Sequence, residues 1–153
     1  MKRMEIKGID SAYVTLHSGL GNFRAIEVED LTKHKMDSEQ MEINEQNANL
    51  INKTKERENK VCIVGTTTMK AVETAAITGN RVKVYSGWSN KFIFPHYNFD
   101  IADAMITNFH PPLSSMLMMV SAFGGYDLIM EAYKHAVEKE YKFLTYGDAM
   151  LII

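Results

Sequence analysis

Cysteine is almost absent from this sequence. The 153 residues include a single cysteine, Cys62, which lies in an apolar run between Val61 and Ile63. One cysteine excludes a disulfide framework and a cysteine metal cluster. Because this cysteine usage is typical of a reducing compartment, we expect a cytoplasmic protein.

Long hydrophobic runs are also missing. The longest strongly apolar stretch, Met116 to Phe123, is far shorter than the ~20 residues that span a bilayer. The charged start, Met1 to Lys7, lacks the apolar core of a signal peptide. We therefore expect a soluble protein without a membrane partner.

No excess of charge of one sign is present. Lys and Arg total 17 against 19 Asp and Glu, a net charge of -2. This balance argues against a protein that coats polyanions, so any contact with nucleic acid must be local. Only three prolines occur, and neither a repeat nor a linker is evident. The length suffices for one hydrophobic core, and we predict a single domain over residues 1–153.

Strand and helix patterns alternate along the chain. Residues 12–17 alternate with period two, which predicts a strand, and Asn44 is a plausible N-cap for a helix over 44–59. Residues 61–64 predict a short buried strand, followed after Gly65 by a helix that continues toward Gly79. Further patterns predict strands over 81–85, 102–107 and 149–153, and helices over 115–123 and 126–137. This order predicts an α/β fold with a mostly parallel sheet covered by helices, in a Rossmann-like layered arrangement.

In such sheets, ligands bind where the strands end at their carboxyl edge. Four polar or glycine-rich turns follow predicted strands, at His17 to Gly21, Gly65 to Thr68, Ser86 to Ser89 and Thr107 to His110. If the strands are parallel, these turns share one rim of the sheet.

Two stretches of the chain carry groups suited to binding or acid-base chemistry. The backbone N–H groups and hydroxyls of Thr66 and Thr67 suit a carboxylate, a phosphate or a ribose, although a simple Thr N-cap explains them equally well. His34 and Glu39 lie within one short stretch that suits acid-base work. A surface turn is the alternative there.

Four other residues also lie at the ends of strands or in turns. Asn108 and His110 precede two prolines, which fix polar side chains at a strand end. The alternative is a buried, hydrogen-bonded histidine. His17 ends a strand in the same way, and Trp88 is either a stacking platform for a base or a core anchor.

Two remaining features favour structural roles. Lys70 and Glu73 lie one helical turn apart and predict a solvated surface pair. The Met116 to Met119 run favours core packing over the alternative of an adaptable binding surface.

A series of ordered motifs resembles the C-terminal half of the QueA family, the S-adenosylmethionine:tRNA ribosyltransferase-isomerases of queuosine biosynthesis. The resemblance covers essentially the whole chain. It rests on residues 14–24, 32–39, 65–68, 87–89, 92–95, 107–110, 120–123 and 146–150.

The resemblance implies an activity. The enzyme would move the ribosyl part of S-adenosylmethionine onto an aminomethyl-deazaguanine base at the wobble position of tRNA. Adenine and methionine would leave, and the ribose would rearrange to the epoxycyclopentane of epoxyqueuosine. Because the sulfonium acidifies the adjacent ribose carbon, a base must remove a proton there and a donor should assist the departure of adenine. The implied partners are the tRNA anticodon loop and S-adenosylmethionine as a substrate, with no cofactor or metal.

The resemblance also places particular residues at or near the site. The expected catalytic residues are His17, His34, Glu39 and His110, without an assignment of base and donor. The expected substrate-binding residues are Thr66, Thr67, Trp88 and Asn108.

The sequence departs from the family pattern in three positions and in length. Asp37 stands where the family usually has His, Lys70 where it has Arg, and Leu113 where it has Lys. Family members run to about twice this length and add an N-terminal segment and a β-barrel domain, which this chain lacks. Either a separate N-terminal half or self-association would then complete the protein. The alternative function is a catalytically silent truncated paralogue that binds a nucleotide or RNA.

Overall fold

The structure is a computed structural model. It describes the backbone of residues 1–153 and the side chains of residues 1–22 and 24–153. Within this described part, none of the helices combines the length and the apolar character needed to cross a membrane.

Five α-helices and eight short strands form the fold. The helices are α1 (Lys2–Ile6), α2 (Glu45–Glu56), α3 (Thr66–Ala75), α4 (Ser115–Gly124) and α5 (Tyr126–Glu138). The strands are β1 (Thr15–Leu16), β2 (Glu39–Ile43), β3 (Cys62–Val64), β4 (Ala76–Ile77), β5 (Arg81–Val82), β6 (Tyr85–Ser89), β7 (Ala104–Asn108) and β8 (Ala149–Ile152).

The strands form three small sheets, in the orders β1-β2-β6, β3-β7-β8 and β4-β5. The mixed α/β class is therefore confirmed. The prediction of a mostly parallel, Rossmann-like sheet is wrong, because β3 and β7 are the one parallel pair among the five described pairings. A period-two pattern indicates a strand but carries no information about the direction of its neighbour.

Local signals in the sequence mark several helix boundaries correctly. The Asn44 side chain accepts a hydrogen bond from the Asn47 N–H at 3.0 Å and caps α2. Gly65 has φ of 90° where β3 turns into α3, a conformation that glycine adopts without a Cβ penalty. The predicted capping and turn residues are therefore confirmed.

Helix α3 is the centre of the hydrophobic core. Its buried residues Met69, Ala71, Val72 and Ala75 pack into a cluster formed by all three sheets, α2, α4 and α5. A helix that is buried on nearly every side fixes the strands around it. The residues at the ends of these strands that lie next to α3 are therefore held in defined positions.

The sheet β3-β7-β8 is buried on one face only. Ile63, Met105 and Ile152 lie on the core side, whereas Val64, Ile106 and Leu151 are paired across the three strands and are 62%, 36% and 62% exposed. The strand predicted over 61–64 is thus present, but its predicted burial holds for Ile63 only, and Cys62 is exposed as well. The side chains of Val64, Ile106 and Leu151 form a continuous apolar patch on the exposed face of the sheet.

Such a patch favours association between molecules. We predict that the chain self-associates as its concentration rises and that Leu151→Thr weakens this association. Leu128→Thr is the matched control, because Leu128 is similarly exposed on α5. Sedimentation velocity over a concentration series measures the effect. A monomer at every concentration, or equal effects of the two substitutions, would contradict the prediction.

Candidate functional site

A cavity of about 270 Å³ opens at the N-terminus of α3. Three of the four predicted turns contribute to it, those after β1, β3 and β7. Its polar lining consists of Ser18, Asn22, Glu39, Thr66, Thr67, Lys70, Lys91, Thr107, Asn108, His110, Ser115 and Thr145. The apolar lining includes Met36, Phe92, Ile93, Met116, Met119 and Leu144.

The first turn of α3 faces this cavity. Its N-cap is Gly65, which forms no side-chain capping bond, so the alternative of a Thr N-cap is wrong. Thr66 and Thr67 both line the cavity, Thr66 buried and Thr67 exposed. The first N–H groups of a helix without a side-chain cap are donors for a ligand, and the helix dipole favours an anionic group there.

A buried ion pair lies at the wall of the cavity. Lys70 Nζ is 2.7 Å from Glu39 Oε2, and the two side chains are 4% and 3% exposed. Glu39 Oε1 accepts further hydrogen bonds from the Gly19 N–H and from Asn22 Nδ2, both at 2.7 Å. Three donors therefore fix the position of this carboxylate.

The predicted surface pair of Lys70 and Glu73 does not exist, and both residues are buried. Glu73 instead accepts hydrogen bonds from the backbone N–H groups of Asp100, Ile101 and Ala102 at 3.1 to 3.3 Å. Burial, together with the neighbouring Glu73 carboxylate, raises the pKa of Tyr97, whose hydroxyl donates to Glu73. Helical spacing shows which residues share a face of a helix, but not whether that face is covered.

His110 is buried at the edge of the cavity. Its Nε2 lies 2.8 Å from Thr107 Oγ1, and its backbone N–H donates to the Tyr133 hydroxyl at 2.8 Å. Burial lowers the pKa of His110 to about 4, so the imidazole is neutral at neutral pH. A neutral imidazole serves as a hydrogen-bond donor or acceptor toward a ligand.

Asn108 joins the cavity to a distant segment. Its Nδ2 donates to the carbonyl oxygens of Gly147 and Asp148, at 3.4 and 3.1 Å. This brings Leu144 and Thr145 to the cavity lining. No pattern in the sequence indicated that contact, because the two segments lie far apart along the chain.

Three of the expected site residues lie outside the cavity lining. His17 is exposed, and its backbone N–H pairs with the Gln40 carbonyl. His34 packs against Phe92 with ring centroids 4.8 Å apart, and Phe92 itself lines the cavity. Trp88 is 65% exposed on β6, so it is not a core anchor, and the predicted turn at Ser86 to Ser89 is a strand.

Sequence reasoning missed Asn22 and Lys91 as cavity residues and favoured core packing for Met116. Asn22 lies in the motif at 14–24 that supports the family resemblance. Membership of this motif could have identified Asn22 as a site residue. Lys91 donates to the Tyr97 hydroxyl at 3.0 Å. Met119 is buried and Met116 is half-buried at the cavity, so the Met116 to Met119 run serves both the core and the cavity.

Among the three family departures, one lies in the cavity. Lys70 lines it, whereas Asp37 and Leu113 do not. Asp37 lies 3.8 Å from Arg24 in an exposed pair, and Leu113 is exposed with φ of 58°. Lysine has a single ammonium group, whereas arginine has a planar guanidinium with several N–H donors. Lys70 forms one hydrogen bond to Glu39. No cluster of three or more potential metal ligands occurs among the described side chains.

The chain is thus a mixed α/β protein with a cavity, lined mainly by polar residues, at the N-terminus of a buried helix. Residues 1–152 match the family model of the queuosine biosynthesis protein. The chain belongs to this family.

Curated relatives agree with this assignment. An S-adenosylmethionine:tRNA ribosyltransferase-isomerase of Phocaeicola vulgatus is 60% identical over the whole chain and is covered over 44% of its own length. The protein of the same name from Halothermothrix orenii is 47% identical, with 45% of its length covered. The chain thus spans less than half of the length of these relatives.

A solved structure shows the same fold. The crystal structure of S-adenosylmethionine tRNA ribosyltransferase from Thermotoga maritima is 36% identical, with a TM-score of 0.81. The similarity covers 99% of this chain and 48% of the solved one.

The buried ion pair generates a stability prediction. Lys70→Met leaves the Glu39 carboxylate buried without its cation, and we expect a loss of about 3–5 kcal/mol in the free energy of unfolding. Glu39→Gln combined with Lys70→Met should recover most of this loss, because the amide is neutral and its oxygen still accepts from Gly19 and Asn22. Urea denaturation measures both. If the double variant were less stable than Lys70→Met, the ion-pair explanation would be wrong.

His110 generates a pH prediction. Its folded pKa of about 4 lies below the unfolded value of about 6.5. The unfolded state therefore binds more protons between these values, and stability falls as pH drops from about 6.5 toward 4. We expect His110→Gln to flatten this part of the profile of unfolding free energy against pH. His135→Gln, at an exposed position on α5, is the control and should leave the profile unchanged.

Proposed function

We propose that this chain acts in queuosine biosynthesis as an S-adenosylmethionine:tRNA ribosyltransferase-isomerase. In this proposal the α3 cavity binds S-adenosylmethionine as a substrate, and the wobble base of the tRNA anticodon loop reaches its mouth. The observation that carries the proposal is the convergence on one cavity of Glu39, Thr66, Thr67, Asn108 and His110. These residues come from three separate motifs of the family, at 32–39, 65–68 and 107–110.

The lining suits the parts of S-adenosylmethionine. The uncapped first turn of α3 and the ammonium groups of Lys70 and Lys91 favour its carboxylate. The apolar side chains of Phe92 and Met116 suit the flat adenine ring, since ligand pockets combine apolar walls with a few placed polar groups. Two ammonium groups against the single carboxylate of Glu39 leave the lining positive overall.

We assign proton transfer to His110 in preference to Glu39. The His110 imidazole is neutral at neutral pH and lines the cavity, so it can exchange a proton with the substrate. Both Glu39 oxygens are already occupied by Lys70, Gly19 and Asn22. Glu39 then acts by positioning the Lys70 ammonium, whose positive charge would favour the negative charge that develops when the proton leaves. His17 and His34 would contribute only after movement toward the cavity.

The rest of the proposal concerns organisation. We propose that residues 1–153 form one unit of the catalytic domain of the family. The segment that makes up the remaining length of the relatives would complete the enzyme. A tRNA substrate would place the reaction in the cytoplasm.

Adenine release from S-adenosylmethionine tests the proposal. We expect release by the folded chain that depends on tRNA carrying the aminomethyl-deazaguanine base. Thr67→Val should raise KM for S-adenosylmethionine about two- to tenfold, because it removes one hydrogen bond. Thr68→Val is the matched control, since Thr68 follows directly but does not line the cavity.

The assay separates the proposal from its alternative. A folded chain that binds S-adenosylmethionine in calorimetry but releases no adenine with tRNA would favour either the silent nucleotide- or RNA-binding module or a requirement for the remaining segment of the relatives. A folded chain that binds neither substrate would overturn both functions.

A further inference from the structure

The loop between α5 and β8 presents an aromatic side chain next to the cavity. Tyr146 is 99% exposed, and the residues before it, Leu144 and Thr145, line the cavity. Exposure alone carries little weight, because single exposed aromatic residues are common on protein surfaces. Two further observations are more informative: the conformation of the 142–148 loop and its hydrogen bonds to the cavity segment.

The backbone of the 142–148 loop is held rigidly. The Lys142 N–H donates to Asp148 Oδ2, and the Asp148 N–H donates back to the Lys142 carbonyl, both at 2.8 Å. The Gly147 N–H donates to the Leu144 carbonyl at 2.9 Å. A Cβ on Gly147 would collide with the Lys142 carbonyl, so the closed loop requires glycine there.

The same loop is attached to the segment that carries the site. The Leu144 N–H donates to the Phe109 carbonyl at 3.0 Å, and Asn108 Nδ2 bonds the carbonyls of Gly147 and Asp148. Asn108 and Phe109 directly precede His110. The position of Tyr146 is therefore fixed relative to the proposed proton-transfer residue.

We propose that Tyr146 is a stacking platform for an unpaired RNA base at the mouth of the cavity. The inference rests on the proposed function, which brings a single-stranded loop of tRNA to this site. A base that enters the cavity must leave its neighbours unstacked, and aromatic side chains take up such bases. Tyrosine has few rotatable bonds, so it loses little entropy when a base packs on it.

The charge beside Tyr146 suits the same ligand. Lys142, which closes the loop, is exposed and offers an ammonium for a phosphate. Cations alongside aromatic rings are the usual combination in sites for single-stranded nucleic acid.

Fluorescence anisotropy with a short RNA stem-loop tests the proposal on the full chain. We expect Tyr146→Ala to weaken RNA binding about 5- to 150-fold, the range for the loss of one stacked base. Tyr146→Phe should retain the affinity, because it keeps the ring. Tyr146→Leu should lose it, since it keeps apolar bulk without a flat face. Tyr126→Ala is the matched control at another exposed tyrosine on α5 and should have no effect.

Two further readouts separate stacking from a structural role. Tyr146→Ala should leave both the urea midpoint and the affinity for S-adenosylmethionine unchanged. It should also leave the slope of log K against log salt unchanged, whereas Lys142→Ala should reduce that slope by about 1.

The outcomes distinguish the inference from the proposed function. If the unsubstituted chain binds RNA and Tyr146→Ala binds it equally well, the stacking role is wrong and the proposed function stands. Retained affinity in Tyr146→Leu would also overturn stacking. If the folded, unsubstituted chain binds no RNA, the inference falls together with the tRNA part of the proposed function.

Discussion

The Glu39 carboxylate and the Lys70 ammonium, both removed from water, join β2 to α3 at the wall of the cavity. Transferring either charge alone into the interior would cost several kcal/mol, so each residue makes the other necessary. The same carboxylate also holds Gly19 and Asn22, which fixes the turn after β1. One buried ion pair thus sets the relative positions of a sheet, the central helix and one wall of the site.

Helix α3 extends this constraint through the rest of the molecule. At one end, Gly65 turns the chain from β3 into the helix, and its N–H bonds the Ile106 carbonyl of β7 at 2.8 Å. Further along α3, the Glu73 carboxylate accepts hydrogen bonds from three backbone N–H groups of the segment before β7. Because both β3 and β7 are fixed to α3, the residues that follow them, Thr66 and His110, meet at the same cavity.

The site accordingly consists of groups whose hydrogen bonds form before any ligand arrives. Glu39 accepts hydrogen bonds from three donors, and burial keeps His110 neutral. Preorganised charges of this kind need little reorganisation when substrate binds, which is the usual basis of electrostatic catalysis. Leu144 and Thr145 complete the rim. They belong to a segment near the end of the chain that the Phe109 carbonyl holds at Leu144 and that the Asn108 side chain holds at Gly147 and Asp148.

The sequence by itself determined the local elements and the family. The Asn44 cap, the Gly65 turn, the period-two strand near Leu16 and the amphipathic stripe of α5 depend on short-range sterics and hydrogen bonds, so they can be read directly. Ordered motifs were enough to find the family, and they placed Glu39, Thr66, Thr67, Asn108 and His110 at one site. Only the tertiary structure decided the direction of the strands, the burial of Lys70 and Glu73, the position of His17 and Trp88 outside the cavity, and the attachment of the 142–148 loop to Asn108 and Phe109. These features depend on contacts between segments far apart in the chain, and the periodicity of a single segment does not encode its distant partner.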